Sequence, residues 1–400
     1  MPSTFVRNAI VLGLLTAIGP FAIDMYLPAL PAISAALNAS TSATQATLMA
    51  FFVAFGICQI AYGPVSDMYG RKPPLYAGLC LFVAGSIGCV FCPTIGWLVG
   101  FRFIQGVGAS AVMVIPRAVI RDLLTGLEAT RLMSLVMLVF SVSPILAPLI
   151  GSALIVPFGW RAVFVAIAIT AALGLLLVAF VLPETRPAHQ RIGGGLRSML
   201  TGYSFLLRDR RFLALTFIGA FGMASFFAFL ASSSFIYIDH FGLTPTQYSI
   251  AFAINAIGFI GASQFSAHLA GRFGVSRVIL TAVAIYTAMA VLLFATTAAG
   301  VTNLGVLITL LFLAFAWLGL VIPSTMVLAL EEHGPIAGMA SALAGTLQML
   351  TGAAIIALVS RFFDGTALPM VTTIALCALA AFTLSWFTLH PGKMVAKSAE

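Results

Sequence analysis

The feature that most constrains this chain is a succession of long apolar stretches separated by short polar segments. Stretches such as Ala129–Val156 and Leu304–Leu330 reach the roughly 20 residues that a helix needs to cross a bilayer. Only 8% of the residues are charged, against about 25% in soluble domains. Lipid offers no partners for unpaired backbone groups, so these stretches are predicted to be helices. We predict an all-α integral membrane protein with twelve spans near residues 8–33, 44–66, 73–92, 97–120, 130–154, 160–182, 212–238, 246–269, 277–298, 304–328, 335–360 and 367–389.

The basic residues predict the orientation of these spans. The net charge of +8 comes from residues scattered over short loops, which argues against a nucleic-acid-binding surface. One set of loops carries only Arg161 and Arg361, near its edges. Because cytoplasmic loops carry the excess of Lys and Arg, we expect both termini to face the cytoplasm. The basic loops carry Arg7, Arg71, Lys72, Arg121, Arg131, Arg186, Arg191, Arg197, Arg208, Arg210, Arg211, Arg272, Arg277, Lys393 and Lys397.

A polar, basic segment at Pro183–Arg211 divides the spans into two sets of six. Two halves joined by such a linker are expected of a transporter built from repeats. We therefore predict an N-terminal half at 1–185, a cytoplasmic linker at 186–211 and a C-terminal half at 212–400. Within the linker, Ser198–Leu207 is predicted to form a short helix on the membrane surface.

The sequence lacks the patterns of an enzyme or a receptor. It has no Ser–His–Asp set, metal-ligand cluster or phosphate loop, and it has no sizeable soluble domain. We therefore predict a transporter with no enzymatic activity, metal or cofactor. Cys89 and Cys92 form a C-x-x-C near the outer end of the third span. Packing is the favoured role of these cysteines, and whether the two are bonded stays open.

Asp24 is the only carboxylate deep within a predicted span. Ionisable groups in spans are costly and usually functional, and burial favours the neutral form of a carboxylic acid. Asp24 is therefore a candidate proton carrier. The alternative is that the first helix ends early, at Pro28 and Pro31, and leaves Asp24 near the surface.

Arg102 lies at a similar predicted depth in the fourth span, and Gln105 shares its helix face. A cation there can stabilise the charged form of a neighbouring carboxylate. We predict that Asp24 and Arg102 couple transport to protons. The alternative for Arg102 is an arginine that snorkels to the interface.

The predicted ligand surface is mostly apolar and aromatic, with a few amides in the middle of the spans. Such a surface suits an apolar or amphipathic ligand. The predicted substrate-binding residues are Asp24, Tyr26, Arg102, Gln105, Phe229, Asn255, Phe259 and Gln348.

Charged residues also gather at the predicted cytoplasmic ends of the second and fourth spans. Asp67 and Arg71 follow the second span, and Arg117, Arg121 and Asp122 end the fourth. We predict that these charges pair and hold one conformation closed. The alternative is simple anchoring by basic residues at the cytoplasmic side.

Three motifs resemble those of the major facilitator superfamily, and the resemblance extends over nearly the whole chain. Gly63–Pro73 (GPVSDMYGRKP) resembles its G-x-x-x-D-R-x-G-R-R signature, with Met68 in place of arginine. Arg102–Gly106 (RFIQG) resembles its R-x-x-Q-G motif, and Ala147–Gly151 (APLIG) resembles G-P-x-x-G with alanine in place of the first glycine. The resemblance implies the family's fold of two pseudo-symmetric six-helix halves. The charge pattern and these motifs together give the predicted conformational-gating residues Asp67, Gly70, Arg71, Arg117, Arg121, Asp122, Pro148 and Gly151.

Two further segments, Asp24–Pro28 (DMYLP) and Leu182–Thr185 (LPET), look like the Bcr/CflA group of drug:proton antiporters. In related exporters the residues matching Asp24 and Arg102 serve substrate and proton binding. The resemblance implies export of bicyclomycin-, chloramphenicol- or florfenicol-like drugs by alternating access, by a monomer in the bacterial inner membrane. Its partners would be the drug, protons and lipid. The alternative is a proton-coupled exporter of a metabolite such as a sugar or amino acid.

Overall fold

The structure is a computed structural model that describes residues 3–124, 126–190 and 196–389. Within them, twelve helical segments are long and apolar enough to cross a membrane, which confirms the predicted all-α membrane fold. Arg191, Lys393 and Lys397 lie outside the described residues. The helices are α1 (Ser3–Asp24), α2 (Leu30–Ala36), α3 (Thr41–Tyr69), α4 (Lys72–Phe91), α5 (Ile95–Leu123), α6 (Gly126–Phe158), α7 (Arg161–Phe180), α8 (Leu196–Arg208), α9 (Arg210–Ser234), α10 (Pro245–Ser263), α11 (Ser266–Phe273), α12 (Val275–Ala298), α13 (Leu304–Glu331), α14 (Ala337–Phe362) and α15 (Leu368–Leu389).

The first span is a broken helix. α1 ends at Asp24, and a 3-10 turn at Leu27–Ala29 leads directly into α2. Pro28 explains the break, because it has no N–H to donate to the carbonyl of Asp24 and its ring crowds that carbonyl. The helix therefore ends early, as the alternative interpretation of the sequence predicted. Asp24 does not lie at the surface, however, because it is buried and only 5% exposed.

The predicted linker helix is present as α8, which is amphipathic. Leu206 is fully buried, whereas Leu200 and Phe205 on the same helix are exposed. Directly after α8, Asp209 caps α9 by accepting a hydrogen bond from the backbone N–H of Arg211 (2.8 Å). The helix thus starts at a position fixed by side-chain capping.

The described residues divide into two compact units. The first comprises the described part of Met1–Arg197 together with Tyr237–Ala253, and the second comprises Ser198–Ile236 with the described part of Ile254–Glu400. In the first unit, α5 packs against α3 and α4, and α1 packs against α6. In the second, α9 packs against α14 and α15, and α12 packs against α13 and α15. The chain passes from one unit to the other three times, after Arg197 in α8, after Ile236 and after Ala253 in α10.

Candidate functional site

Arg102 is a fully buried cation on α5. Its Nη1 donates to the carbonyl of Ala22 (3.1 Å) and to Oε1 of Gln105 (2.9 Å). The centroids of the Tyr26 and Phe51 rings lie 4.7 and 4.5 Å from its guanidinium carbon. Its Nε and Nη2 atoms have no hydrogen-bond partner among the described residues. The side chain is enclosed by protein, so it does not snorkel to the interface.

A close crossing of α3 and α5 brings these groups together. A Cβ atom on Gly106 would lie 2.4 Å from the carbonyl oxygen of Phe51, so glycine is required for this approach. Gln105 Nε2 donates to Ser86 Oγ on α4 (2.7 Å), and Cys89 Sγ donates to Gln105 Oε1 (3.8 Å). These contacts fix the orientation of the Gln105 amide, whose oxygen accepts the hydrogen bond from Arg102.

Asp24 lies between two residues that contact Arg102, namely Ala22 and Tyr26. Within the described residues, its carboxylate makes no hydrogen bond and has no cation within 4.0 Å. Tyr26 is fully buried, and its hydroxyl is hydrogen-bonded to Thr47 Oγ1 (2.6 Å). The first unit therefore joins Tyr26, Arg102 and Gln105 through contacts with the arginine. Asp24 is near this group along the chain, but no ion pair joins it to Arg102 in the described residues.

Arg71 is the centre of a charge network at one end of the first unit. Its Nε and Nη2 donate to the carboxylate of Asp122 (2.7 and 3.2 Å), and its Nη1 donates to Asp67 (2.8 Å) and Ser66 (2.7 Å). Gly70 precedes it with φ +95°, a conformation that favours glycine. Burial opposes the charge, but the hydrogen bonds and charges of Asp122 and Asp67 raise the pKa of Arg71 above its ordinary value.

Two residues beyond α7 complete this network, and their pairing was not predicted. Glu184 accepts from the backbone N–H of Arg71 (2.8 Å) and of Lys72 (3.0 Å). Arg186 Nη1 lies 3.2 Å from Asp67 Oδ1. The sequence signal for Glu184 was present in the Leu182–Thr185 segment, but only the folded chain joins it to the loop after α3.

Arg117 and Arg121 do not join this network, contrary to the predicted pairing of the charges on α5. Neither has a carboxylate within 4.0 Å in the part of the chain that the structure describes. Asp122 follows Arg121 directly but lies about 100° further around the helix. Asp122 instead faces Arg71, and the gating role of the two arginines stays a prediction.

Pro148 and Gly151 lie where α6 meets two other segments of the first unit. A Cβ atom on Gly151 would lie 2.3 Å from the carbonyl oxygen of Met25, so α6 approaches the break in the first span at van der Waals distance. The Ser249 hydroxyl on α10 donates to the carbonyl of Pro148 (2.8 Å). Sequence reasoning missed Ser249, because a serine in an apolar span carries no distinctive pattern.

Phe229 and Phe259 belong to an aromatic cluster in the second unit. Phe226 stacks on Phe259 with centroids 5.4 Å apart, and Phe315 lies edge-on to Phe226 and Phe229 at 5.4 and 5.2 Å. A Cβ atom on Gly319 would lie 2.1 Å from the carbonyl oxygen of Phe259, so α13 contacts α10 closely here. The cluster supplies an apolar surface inside the second unit.

The two predicted amides also lie in the second unit. Asn255 is fully buried on α10. Gln348 on α14 faces α9: a Cβ atom on Gly219 would lie 3.2 Å from Gln348 Nε2 and 3.0 Å from Thr325 Oγ1. These amides add to the buried hydroxyl groups of the second unit, such as those of Thr216, Ser225 and Thr325.

Cys89 and Cys92 are both buried, and both are free thiols in the structure. Burial raises the pKa of the Cys92 thiol, and the nearby Arg161 guanidinium offsets this only in part. Arg161 also donates through Nε to the carbonyl of Val90 (3.0 Å). The C-x-x-C segment therefore packs at the end of α4 without a disulfide between its two cysteines.

Comparison with known proteins gives a family match across most of the chain. The sequence pattern described as Major Facilitator Superfamily matches residues 12–357. The "Uncharacterized MFS-type transporter YdgK" of Bacillus subtilis (strain 168) is 38% identical over 388 residues, covering 94% of this chain and 95% of the relative. The "Bicyclomycin resistance protein homolog" of Haemophilus influenzae is 29% identical, covering 96% of both.

The fold also resembles that of a solved transporter. The crystal structure of a D-xylose-proton symporter superposes with a TM-score of 0.71 at 18% identity, covering 95% of this chain and 97% of the other. At this identity the likeness concerns the fold alone.

Proposed function

Because the chain belongs to the Major Facilitator Superfamily, we propose that it exports small amphipathic drugs in exchange for protons by alternating access. It acts as a monomer in the bacterial inner membrane, with both termini in the cytoplasm. The moving halves are residues 1–185 and 212–400, joined by the linker 186–211. The observation that carries the proposal is the Asp24 carboxyl group, which is buried without an ionic partner among the described residues.

Asp24 takes up a proton from outside, and the proton's arrival releases the drug outward and permits the return to the inward-facing state. Loss of the proton to the cytoplasm prepares the site for the next drug molecule. A membrane potential of 100 mV contributes about 2.3 kcal/mol for each charge moved. In this proposal Arg102, which is hydrogen-bonded to the Ala22 carbonyl on the same helix as Asp24, favours the charged form of the carboxylate in that last step.

The chemistry of the candidate residues supports an amphipathic drug as the substrate. The Phe226–Phe259–Phe315 cluster offers aromatic faces, and Asn255 and Gln348 offer a few hydrogen bonds. Such a combination suits a mostly apolar ligand with a few polar groups. A relative named for bicyclomycin resistance supports the same class.

The second candidate function is proton-coupled export of a metabolite such as a sugar or amino acid. A heavily hydroxylated or zwitterionic ligand needs more polar partners than these residues provide. Transport of bicyclomycin and chloramphenicol, without competition from sugars or amino acids, would separate the two candidates.

The test is drug uptake into inside-out vesicles or proteoliposomes under an imposed proton gradient. Asp24→Asn is expected to abolish gradient-driven drug transport while leaving insertion and expression unchanged. Asp239→Asn is the matched control, because Asp239 is an exposed carboxylate near the end of another span. Gradient-driven transport at the wild-type rate by Asp24→Asn would refute the role of Asp24 as proton carrier.

A further inference from the structure

A groove in the second unit is lined by residues of three helices, among them the cationic Arg277. It has a volume of about 360 Å³ and lies between α11, α12 and α13. Its walls include Leu269 and Phe273 on α11, Arg277 and Thr281 on α12, and Trp317 on α13. The groove is distinct from the aromatic cluster and from the buried residues around Arg102.

The cations at this groove have no acidic partner. In the described part of the chain, no carboxylate lies within 4.0 Å of Arg272 or Arg277. The sequence contains no Asp or Glu between Asp239 and Glu331, which includes all of α10, α11 and α12. No acidic residue on α11 or α12 therefore offsets the positive charge of these arginines.

The corresponding turn in the first unit is built differently. There, Arg71 lies in the turn between α3 and α4 and is paired with Asp67 and Asp122. In the second unit, Arg272 and Arg277 flank the turn between α11 and α12, and the guanidinium of Arg272 lies 5.3 Å from the centroid of the Phe273 ring. Within the described residues no carboxylate balances the second turn as Asp67 and Asp122 balance the first, which leaves its two arginines open to an external anion.

The position of the groove favours a lipid over a soluble anion. Arg277 lies in the first turn of α12, at the end of a membrane span, and Thr281 lies one helical turn deeper. Apolar side chains of α11 and α13 continue the walls, and Phe273 is 51% exposed. Basic residues at a span end attract anionic headgroups, while apolar grooves accept acyl chains.

We infer that this groove binds an acidic phospholipid such as phosphatidylglycerol. The phosphate contacts Arg277, with Arg272 beside it, and the hydroxyl of Thr281 is available to the glycerol esters. An acyl chain lies along Leu269, Trp317 and Leu320. The inference does not depend on the transported substrate.

The test is native mass spectrometry of the full chain in detergent, titrated with phosphatidylglycerol or with phosphatidylcholine. Arg277→Gln is expected to weaken phosphatidylglycerol binding about fivefold, since one basic residue near a headgroup contributes about that factor. Binding of phosphatidylcholine should not change. Arg131→Gln is the matched control, because Arg131 is an exposed arginine at the start of α6, outside the groove.

Thr281→Trp provides a second variant that fills the groove and keeps both arginines. It is expected to reduce phosphatidylglycerol binding in the same assay, and excess inorganic phosphate should fail to displace the lipid from the wild type. The inference is overturned if Arg277→Gln binds phosphatidylglycerol within twofold of the wild type while monodisperse. It is equally overturned if phosphatidylcholine binds as tightly, or if phosphate alone displaces the lipid.

Discussion

At the scale of single residues, Arg102 and Asp24 are subject to opposing effects. Burial disfavours charge on either side chain, whereas a cation near a carboxylate favours the charged form of both. The arginine is stabilised by two aromatic faces and two carbonyl-type oxygens, with no carboxylate within 4.0 Å among the described residues. No hydrogen bond or ion pair joins the two side chains in the described residues, so an influence of Arg102 on Asp24 stays a prediction.

Removal of the cation at position 102 should change the pH dependence of drug binding. In Arg102→Ala, burial alone acts on Asp24, so the midpoint of drug binding against pH should move upward by about one pH unit. Arg102→Lys should shift the midpoint less, because it keeps the charge but not the planar stacking on Tyr26 and Phe51. A midpoint that is unshifted or lower in Arg102→Ala would refute the electrostatic link, and Arg102 would then be a substrate ligand.

At the scale of helices, α6 is held by one glycine contact and one serine hydrogen bond. Gly151 lets α6 contact the backbone of Met25, and one turn earlier Pro148 accepts from Ser249 on α10. The single proton of this hydroxyl is shared between the carbonyl of Pro148 and that of Pro245, which lies within the same helix as Ser249 (2.9 Å). Loss of the hydroxyl therefore removes the link between helices without removing any apolar packing.

Ser249→Ala should loosen the contact between α6 and α10. A buried hydrogen bond contributes about 1 kcal/mol, so the population in which the helices separate should rise by about fivefold. Spin labels at the exposed positions Ile150 and Ile250, in a background without the native cysteines, would report the distance distribution.

Ser263→Ala is the matched control on α10, because that hydroxyl donates only to the carbonyl of Ile260 in its own helix. It should leave the distance distribution between α6 and α10 unchanged. Equal broadening in both variants would mean that the Ser249 hydroxyl acts on α10 alone and does not join the two helices.

At the scale of the whole molecule, the acidic residues are few and unevenly distributed. The chain has 11 Asp and Glu against 19 Lys and Arg. Three of the 11, Asp67, Asp122 and Glu184, converge on Arg71 and its neighbour in the first unit. The network joins the loop after α3, the end of α5 and the segment after α7. These three parts are far apart in the sequence, so contacts between neighbouring residues cannot hold them together.

Asp67→Ala should slow transport with little effect on drug affinity. The Asp67 side chain is 41% exposed, so its ion pair contributes about 0–1 kcal/mol to stability, enough to bias a conformational equilibrium but not to unfold the unit. Transport rates and drug dissociation constants would be measured side by side. Glu128→Ala is the control, because Glu128 is exposed on α6 and has no cation within 4.0 Å in the described ranges. A sharp loss of affinity with an unchanged distribution of conformations would place Asp67 in the ligand site instead.

The sequence by itself determined the class of fold. Apolar length alone specifies a spanning helix, since lipid leaves the backbone no other partners. Twelve such segments appear in order in the part of the chain that the structure describes. The end of α1 could also be predicted, because the ring of Pro28 crowds the carbonyl of Asp24, four residues earlier in the chain. These features depend on neighbours along the chain.

Only the tertiary structure decided which polar groups meet. The pairing of Arg71 with Asp122 and Glu184, the exclusion of Arg117 and Arg121 from that network, and the bond from Ser249 to Pro148 all depend on how far each helix is rotated about its axis. That rotation follows from close backbone contacts such as Gly106 with Phe51, which involve residues far apart in sequence. Hydropathy reports the depth of a residue along a span but not its direction around the helix. The position of a polar residue within a span was therefore predictable, whereas its hydrogen-bonding and ionic partners were not.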